Sequence, residues 1–184
     1  MLNRIKFFEF VISIESIIIS TMLPVYILIP FKNRLELVDL PTNWQVPAII
    51  FLTIIFSRKL ILKAYTIFLL LGIFVLPLFY DGGSLGYILT PNFGYILGLF
   101  PLIQITDYLN IKKELSISGI LGTGTLAISS MHLTGIIYMS LLFLVFNKID
   151  LIAYNIGVFT ISKIFIHILM LCPVIFLLKI FNKV

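Results

Sequence analysis

Long apolar runs occupy most of the chain, and charged residues or clusters of Pro and Gly interrupt them. A helix needs about 20 apolar residues to cross a hydrocarbon core of about 30 Å. The runs therefore predict six transmembrane helices, at residues 7–31, 44–56, 60–79, 91–109, 116–146 and 160–180. The second run is short, since 13 residues rise only about 20 Å. That helix would be tilted, begin earlier, or not cross fully.

The composition excludes a soluble globular domain. Hydrophobic residues make up 60% of the 184 positions and charged residues 11%, and the mean hydropathy is +1.16; ordinary domains are about 45 to 50% apolar. Six spans leave only short loops, and no phosphate-binding GxxxxGK[ST] loop is present. We therefore expect an all-α integral membrane protein, with residues 1–184 forming a single domain. Any ATP hydrolysis that energises it would occur in a partner.

The positive charges predict the orientation in the membrane. With the N-terminus inside, nine of the 13 Lys and Arg residues lie on the cytoplasmic side and three on the outer side, and Lys163 falls within the sixth run. This bias predicts a multi-pass protein with both termini in the cytoplasm. It also explains the net charge of +5 without nucleic acid. The inner group is Arg4, Lys6, Arg58, Lys59, Lys63, Lys112, Lys113, Lys179 and Lys183, and the outer group is Lys32, Arg34 and Lys148.

The glycine-rich segment 80–95 is predicted to face outward. Its glycines, among them Gly82 and Gly83, allow the backbone to approach a ligand or a neighbouring helix closely. Thr90 would cap the next helix and Pro91 would take its first position, so unpaired amides would face the loop and form an anion site. An ordinary connecting loop remains the alternative.

Polar and aromatic side chains cluster around this loop and the start of the second helix. Small-molecule sites combine apolar walls with a few polar groups, although Tyr and Trp also anchor proteins at membrane interfaces. Lys163 is expected near the outer end of helix six, where it would reach the site or extend to lipid headgroups. His132 and His167 are interpreted as structural. The candidate site comprises Trp44, Gln45, Asp81, Tyr87, Asn92, Phe93, Tyr95 and Lys163.

Helix one carries Ser16 and Ser20 four residues apart, and small residues at this spacing permit close helix contact. They predict a docking face for another membrane subunit, and the alternative is packing within the chain around Glu15. No HExxH, GxSxG or metal-spaced Cys and His set is present. We therefore expect no enzymatic activity, metal or cofactor.

Four ordered stretches resemble the BioY family, the biotin-specific substrate-binding (S) components of energy-coupling factor (ECF) transporters. They are WQVP at 44–47, LGIFVLPLF at 71–79, DGGSLGY at 81–87 and TPNFGYILG at 90–98, and HLTGIIY at 132–138 is also similar. The resemblance covers about residues 40 to 140. It departs from the family in helix six, where a PGDxxK motif is missing and TISKIFIH stands at 160–167.

The resemblance implies a six-helix carrier in a bacterial cell membrane that captures biotin from outside. A coupling membrane subunit and two ATPase subunits would then drive delivery into the cell. It assigns Asn92, Gln45 and Asp81 to the ureido group of biotin, with Lys163 or the helix-four amides at the carboxylate. The apolar wall would consist of Trp44, Tyr87, Phe93 and Tyr95. The glycine-containing motifs would add Gly82, Gly83 and Gly94 to the binding site. The alternatives are an S component for another vitamin and a non-transporting membrane assembly protein.

Overall fold

Helices make up most of the protein, and one β-hairpin lies near the N-terminus. The computed structural model describes residues 2–31, 34–80, 82–112 and 116–181. The first half contains α1 (Leu2–Met22), strands β1 (Pro24–Phe31) and β2 (Arg34–Asn43), α2 (Gln45–Ile55), α3 (Arg58–Phe74) and a 3₁₀ turn (Leu85–Leu89). The second half contains α4 (Pro91–Leu97), α5 (Leu99–Lys112), α6 (Ile117–Val145), α7 (Leu151–Ile156), a π-helical segment (Gly157–Ile161), α8 (Ser162–Leu169) and α9 (Leu171–Ile180).

The hairpin corrects the all-α prediction and the first predicted helix. That helix was expected to run to residue 31, but it ends at Met22, and β1 pairs antiparallel with β2. Pro24 disfavours helical geometry at the residue before it, and Pro30 would break a helix interior. The residues between them are mostly β-branched or aromatic, which favours a strand. The apolar run is continuous in composition, but its prolines and β-branched residues divide it into a helix and a strand.

Two further predicted helices have different bounds in the structure. The fourth is divided into α4 and α5 at Gly98, and the sixth begins at Leu151 rather than at residue 160. The expectation that Lys163 lies near the outer end of helix six is therefore wrong, because two turns of α7 and the π-helical segment precede it. Asn155 and Gly157 interrupt the apolar run but do not interrupt the helix.

Among the described residues, two continuous helical stretches are long and apolar enough to cross a membrane. They are Ile117–Val145 and Leu151–Ile180, with 29 and 30 residues. At about 1.5 Å per residue each measures about 45 Å, more than the hydrocarbon thickness.

Helix α6 lies at the centre of the packing and contacts α4, α5, α8 and α9. Its approach to α4 depends on glycine, because a Cβ at Gly135 would lie 2.5 Å from the ring of Tyr95. On the other side of α5, the rings of Tyr65 and Phe68 are fully buried, and the Tyr65 hydroxyl donates to the carbonyl of Ile96 at 2.6 Å. This hydrogen bond joins α3 to α4, and a cavity lies beside α4 and α6.

Candidate ligand-binding site

A cavity of about 90 Å³ lies where the hairpin base, α2, the loop before α4, and helices α4, α6 and α8 meet. Its wall combines aromatic rings with amide, hydroxyl, imidazole and ammonium groups. The lining residues are Thr21, Pro41, Thr42, Asn43, Gln45, Val46, Tyr80, Tyr87, Asn92, Tyr95, Ile96, Leu99, Met131, His132, Phe159, Lys163 and His167.

Five of the side chains singled out from the sequence line this cavity: Gln45, Tyr87, Asn92, Tyr95 and Lys163. They come from α2, the 3₁₀ turn, α4 and α8, so residues up to 118 positions apart in sequence meet at one place. Gln45 is only 7% exposed, and its Nε2 has no hydrogen-bond partner among the described residues. The Tyr87 hydroxyl donates to the carbonyl of Tyr80 at 2.8 Å, which ties the turn to the preceding loop.

Three other predicted residues do not line the cavity: Trp44, Phe93 and Gly94. Trp44 immediately precedes α2, and its backbone amide donates to the carbonyl of Leu23. Phe93 is buried with its ring 5.7 Å from that of Tyr138, and a Cβ at Gly94 would lie 2.5 Å from the Tyr138 Cβ. These two residues pack α4 against α6. Asp81 lies outside the described residues.

The glycine-rich loop is held by close backbone packing. Gly82 has φ +137°, a backbone conformation that residues with a side chain rarely adopt. It pairs with Phe79 in a short antiparallel bridge. A Cβ at Gly83 would lie 2.6 Å from the carbonyl oxygen of Gly72. Neither glycine lines the cavity. Their small size lets the loop fold against the end of α3, and this brings Tyr80 and Tyr87 to the cavity wall.

The start of α4 does not have the predicted Thr90 side-chain cap. Thr90 occupies the N-cap position with Pro91 following it, but the Thr90 hydroxyl donates to the carbonyl of Tyr87 at 2.7 Å rather than capping an amide. The amide of Phe93 donates to the carbonyl of Thr90 at 3.2 Å. The side-chain cap is therefore absent, because the 3₁₀ turn just before α4 offers Thr90 a nearer carbonyl.

Tyr95 connects α4 to the stretch that contains the π-helical segment. Its hydroxyl lies 2.7 Å from the Thr160 hydroxyl, and its ring lies 5.9 Å from the ring of Phe159. The Lys163 ammonium lies 5.3 Å from the centre of the Phe159 ring, within the range of a cation–π contact. The Tyr95 ring also meets the His132 ring edge-on at 5.6 Å. Aromatic and cationic groups are thus held together on one side of the cavity.

The cavity also contains residues that the sequence did not assign to a site. Thr42 and Asn43 come from the hairpin, which was not predicted, and Phe159 precedes the predicted start of helix six. His132 and His167 were interpreted as structural, yet both line the cavity. The four-residue spacing of Phe159, Lys163 and His167 places them on one helix face. This spacing was the sequence signal that could have assigned Phe159 and His167 to the same site as Lys163.

The predicted docking serines lie on α1, and neither of them lines the cavity. Ser20 is buried, and its hydroxyl donates to the carbonyl of Ile17 at 2.9 Å, whereas Ser16 is half-buried and Glu15 is exposed. Helix α1 packs against α2 and α3. Ser16 is therefore the more accessible of the two serines.

The charges of the lining favour an anionic or strongly polar group. Lys163 contributes an ammonium, and no Asp or Glu of the described residues lines the cavity. Among those same residues, no group of three or more His, Cys, Asp or Glu side chains is placed to hold a metal ion. The fold and site define a mostly helical protein that contains membrane-capable helices and a small cavity suited to an anionic or strongly polar group.

Comparison with known proteins gives the family. The BioY family model matches residues 10–183, so this chain belongs to the BioY family. No curated protein matches it. The structure is similar to the crystal structure of the S-component for biotin from an ECF-type ABC transporter, with a TM-score of 0.67 and 22% identity. The match covers 97% of this chain and 93% of that one, and it extends the likeness beyond residues 40 to 140.

Proposed function

We propose that this protein is the biotin-binding S component of an ECF transporter. The observation that carries the proposal is the BioY match over residues 10–183, together with a polar and aromatic cavity in a fold similar to that of a biotin S-component. The chain would form a single membrane domain with six spans and both termini in the cytoplasm. The hairpin and the loop before α4 would then face outward.

The cavity chemistry fits biotin. A ureido group offers two donors and one acceptor, for which the amides of Gln45 and Asn92 are suitable partners. The rings of Tyr87 and Tyr95 supply an apolar wall for the fused ring system, and Lys163 supplies a counter-charge for the carboxylate. Lys163 thus takes the role that the family lysine of helix six would have, although the PGDxxK motif is missing.

The size of the cavity implies that its wall moves when ligand enters. Drug-sized ligands occupy pockets of about 300–1,000 Å³, whereas this cavity measures about 90 Å³. The hairpin base and the loop around Tyr80 are the non-helical parts of the wall. Displacing them costs less packing than separating α4 from α6, and we expect them to open outward for capture.

A thermal melt of the detergent-purified protein tests the assignment. A ligand at 100 times its dissociation constant adds about 2.7 kcal/mol to the free energy of unfolding, so biotin should raise the melting temperature. Riboflavin and thiamine serve as controls. A shift with riboflavin or thiamine alone would indicate an S component for that vitamin. A folded, ligand-free protein that responds to none of the three would favour a membrane assembly role.

Delivery into the cell would require a coupling membrane subunit and two ATPase subunits, with α1 as the docking helix. Ser16→Glu places a charge on the more accessible serine and should abolish biotin uptake while biotin affinity stays unchanged. Ser16→Ala keeps the small side chain and should retain both. Ser20→Ala removes only an internal hydrogen bond and should also retain uptake. Simultaneous loss of uptake and binding in Ser16→Glu would contradict a docking role.

A further inference from the structure

Three hydrogen-bonded side chains connect the hairpin to the centre of the bundle. The hydroxyl oxygen of Thr42 in β2 lies 2.6 Å from Nε2 of His167 in α8. Nδ1 of the same imidazole lies 3.1 Å from Nε2 of His132 in α6. All three residues line the cavity, and the two histidines are only 5% and 2% exposed. We call this series the relay.

A neutral relay has only two consistent arrangements of protons, because each imidazole carries one N–H and one lone pair. In the first, Thr42 donates to His167 Nε2, and His167 Nδ1–H donates to His132 Nε2. Both rings are then protonated at Nδ1. In the second, every hydrogen bond is reversed, and both rings are protonated at Nε2. The arrangement determines whether His132 Nδ1 is a donor or an acceptor.

Each arrangement leaves one proton without a partner among the described residues. In the second it is the proton of the half-buried Thr42 hydroxyl, and in the first it is the proton on Nδ1 of His132, a buried nitrogen. A buried donor without a partner carries a desolvation cost. A ligand that supplies an acceptor at Nδ1 would remove this cost and favour the first arrangement.

We propose that His132 Nδ1–H donates a hydrogen bond to an acceptor oxygen of the bound ligand. His167 and Thr42 act as positioning residues, since they fix the tautomer and orientation of the His132 ring without touching that oxygen. This inference rests on the proposed function, because the ligand is taken to be biotin, whose ureido carbonyl and carboxylate both offer such an oxygen. Because Thr42 lies at the hairpin base, the relay also joins ligand recognition to the part of the wall expected to open.

Nitrogen NMR of the histidine rings tests the relay directly. The chain contains only two histidines, so protein labelled with ¹⁵N-histidine gives four ring signals, and protonated and unprotonated ring nitrogens resonate far apart. We expect both rings to be protonated at Nδ1 when biotin is bound. Thr42→Val should introduce the Nε2-protonated form, and Thr42→Ser should restore the wild-type pattern. Rings protonated at Nε2 in the biotin-bound wild-type protein would overturn the proposal.

Affinity measurements test the contact with the ligand. Removal of one neutral hydrogen bond predicts about a 2- to 13-fold loss of biotin affinity in Thr42→Val and recovery in Thr42→Ser. His132→Phe keeps a ring but removes the donor, and it should lose at least as much. In 2-iminobiotin an imino group replaces the ureido oxygen. In biotinol an uncharged alcohol replaces the carboxylate. The His132→Phe loss should shrink for one of them, which identifies the oxygen. If His132→Phe lowered the affinity for biotin and for both analogues by the same factor, the proposed contact would be overturned.

The two proposals can fail separately. The proton arrangement is measured by NMR and the response to biotin by thermal melting, so one result can fail without the other. A protein whose melting temperature does not respond to biotin contradicts the proposed function, whatever the NMR pattern. A biotin-responsive protein with wild-type affinity in both Thr42→Val and His132→Phe contradicts the relay alone.

Discussion

The two longest helical stretches have nearly the same length and the same buried share, but their internal structure differs. Helix α6 runs unbroken over 29 residues, and Leu151–Ile180 comprises 30 residues; a third of the most apolar window of each is buried. The second stretch is divided into α7, the π-helical segment, α8 and α9. Length and hydropathy therefore do not distinguish them. The distinction lies in the backbone.

The irregular stretch provides more of the cavity wall. It contributes Phe159, Lys163 and His167, whereas α6 contributes Met131 and His132. A π-helical insertion changes the direction in which the following side chains point and is frequent at functional sites. The regular helix instead offers glycines at which its neighbours approach. We conclude that α6 packs closely against its neighbours and that the irregular stretch contributes more side chains to the cavity wall than α6 does.

The largest effect is expected from Gly135→Val in α6. A Cβ at this position would lie 2.5 Å from the Tyr95 ring, and overpacking of this kind typically costs about 1–3 kcal/mol. Since Tyr95 lines the cavity, the melting temperature and biotin affinity should fall together. Thermal melts and titration calorimetry would measure both.

Gly122 in the same helix provides the matched control. A Cβ there meets nothing within 4 Å, and Ala is favoured over Gly in a helix by about 1 kcal/mol. Gly122→Ala should therefore leave affinity unchanged and raise the melting temperature slightly. Equal losses from Gly135→Val and Gly122→Ala would contradict the role of α6 as a packing scaffold.

Sequence patterns located the helices better than they located their interruptions. Segment 116–146 was placed within one residue of α6, because an N-cap serine and a continuous apolar run mark it clearly. The hairpin was missed because β1 is as apolar as the helix before it. The π-helical segment has no sequence signature of its own, so Lys163 was placed too close to the helix end.

The site was only partly accessible from the sequence. Gln45, Asn92 and Tyr95 were singled out because polar and aromatic residues border a glycine-rich loop, and they line the cavity. Trp44 and Phe93 met the same description but do not line the cavity, since composition does not give the direction of a side chain. Thr42 and His132 come together only through the hairpin and the helix packing, which no local pattern encodes.

The second effect concerns the charge in the irregular stretch. Lys163→Met keeps the apolar stem and removes the ammonium. If Lys163 binds the carboxylate of biotin, the loss of a hydrogen bond to a charged group predicts about 1.5–3 kcal/mol, or about a 10- to 150-fold drop in affinity. Titration with biotin and with biotinol tests whether Lys163 acts through the carboxylate. The difference in affinity between the wild-type protein and Lys163→Met should disappear for biotinol, the uncharged alcohol.

Lys148 is the control for this experiment. It is exposed in the turn between α6 and α7 and does not line the cavity, so Lys148→Met should bind biotin with wild-type affinity. A drop that persists for biotinol would indicate that Lys163 stabilises the cavity wall instead of binding the carboxylate.

The smallest effect is expected where the irregular stretch meets α4. Thr160→Val keeps the shape of the side chain but removes the hydroxyl that lies 2.7 Å from the Tyr95 hydroxyl. Thr160 is buried, so the lost bond should cost about 1 kcal/mol and lower the melting temperature by a few degrees. Thr66→Val is the matched control, because Thr66 is exposed and bonds only to the Leu62 carbonyl of its own helix. If Thr160→Val destabilised the protein no more than Thr66→Val, the π-helical segment would not be held through Tyr95, and the irregular stretch would owe its position to apolar packing alone.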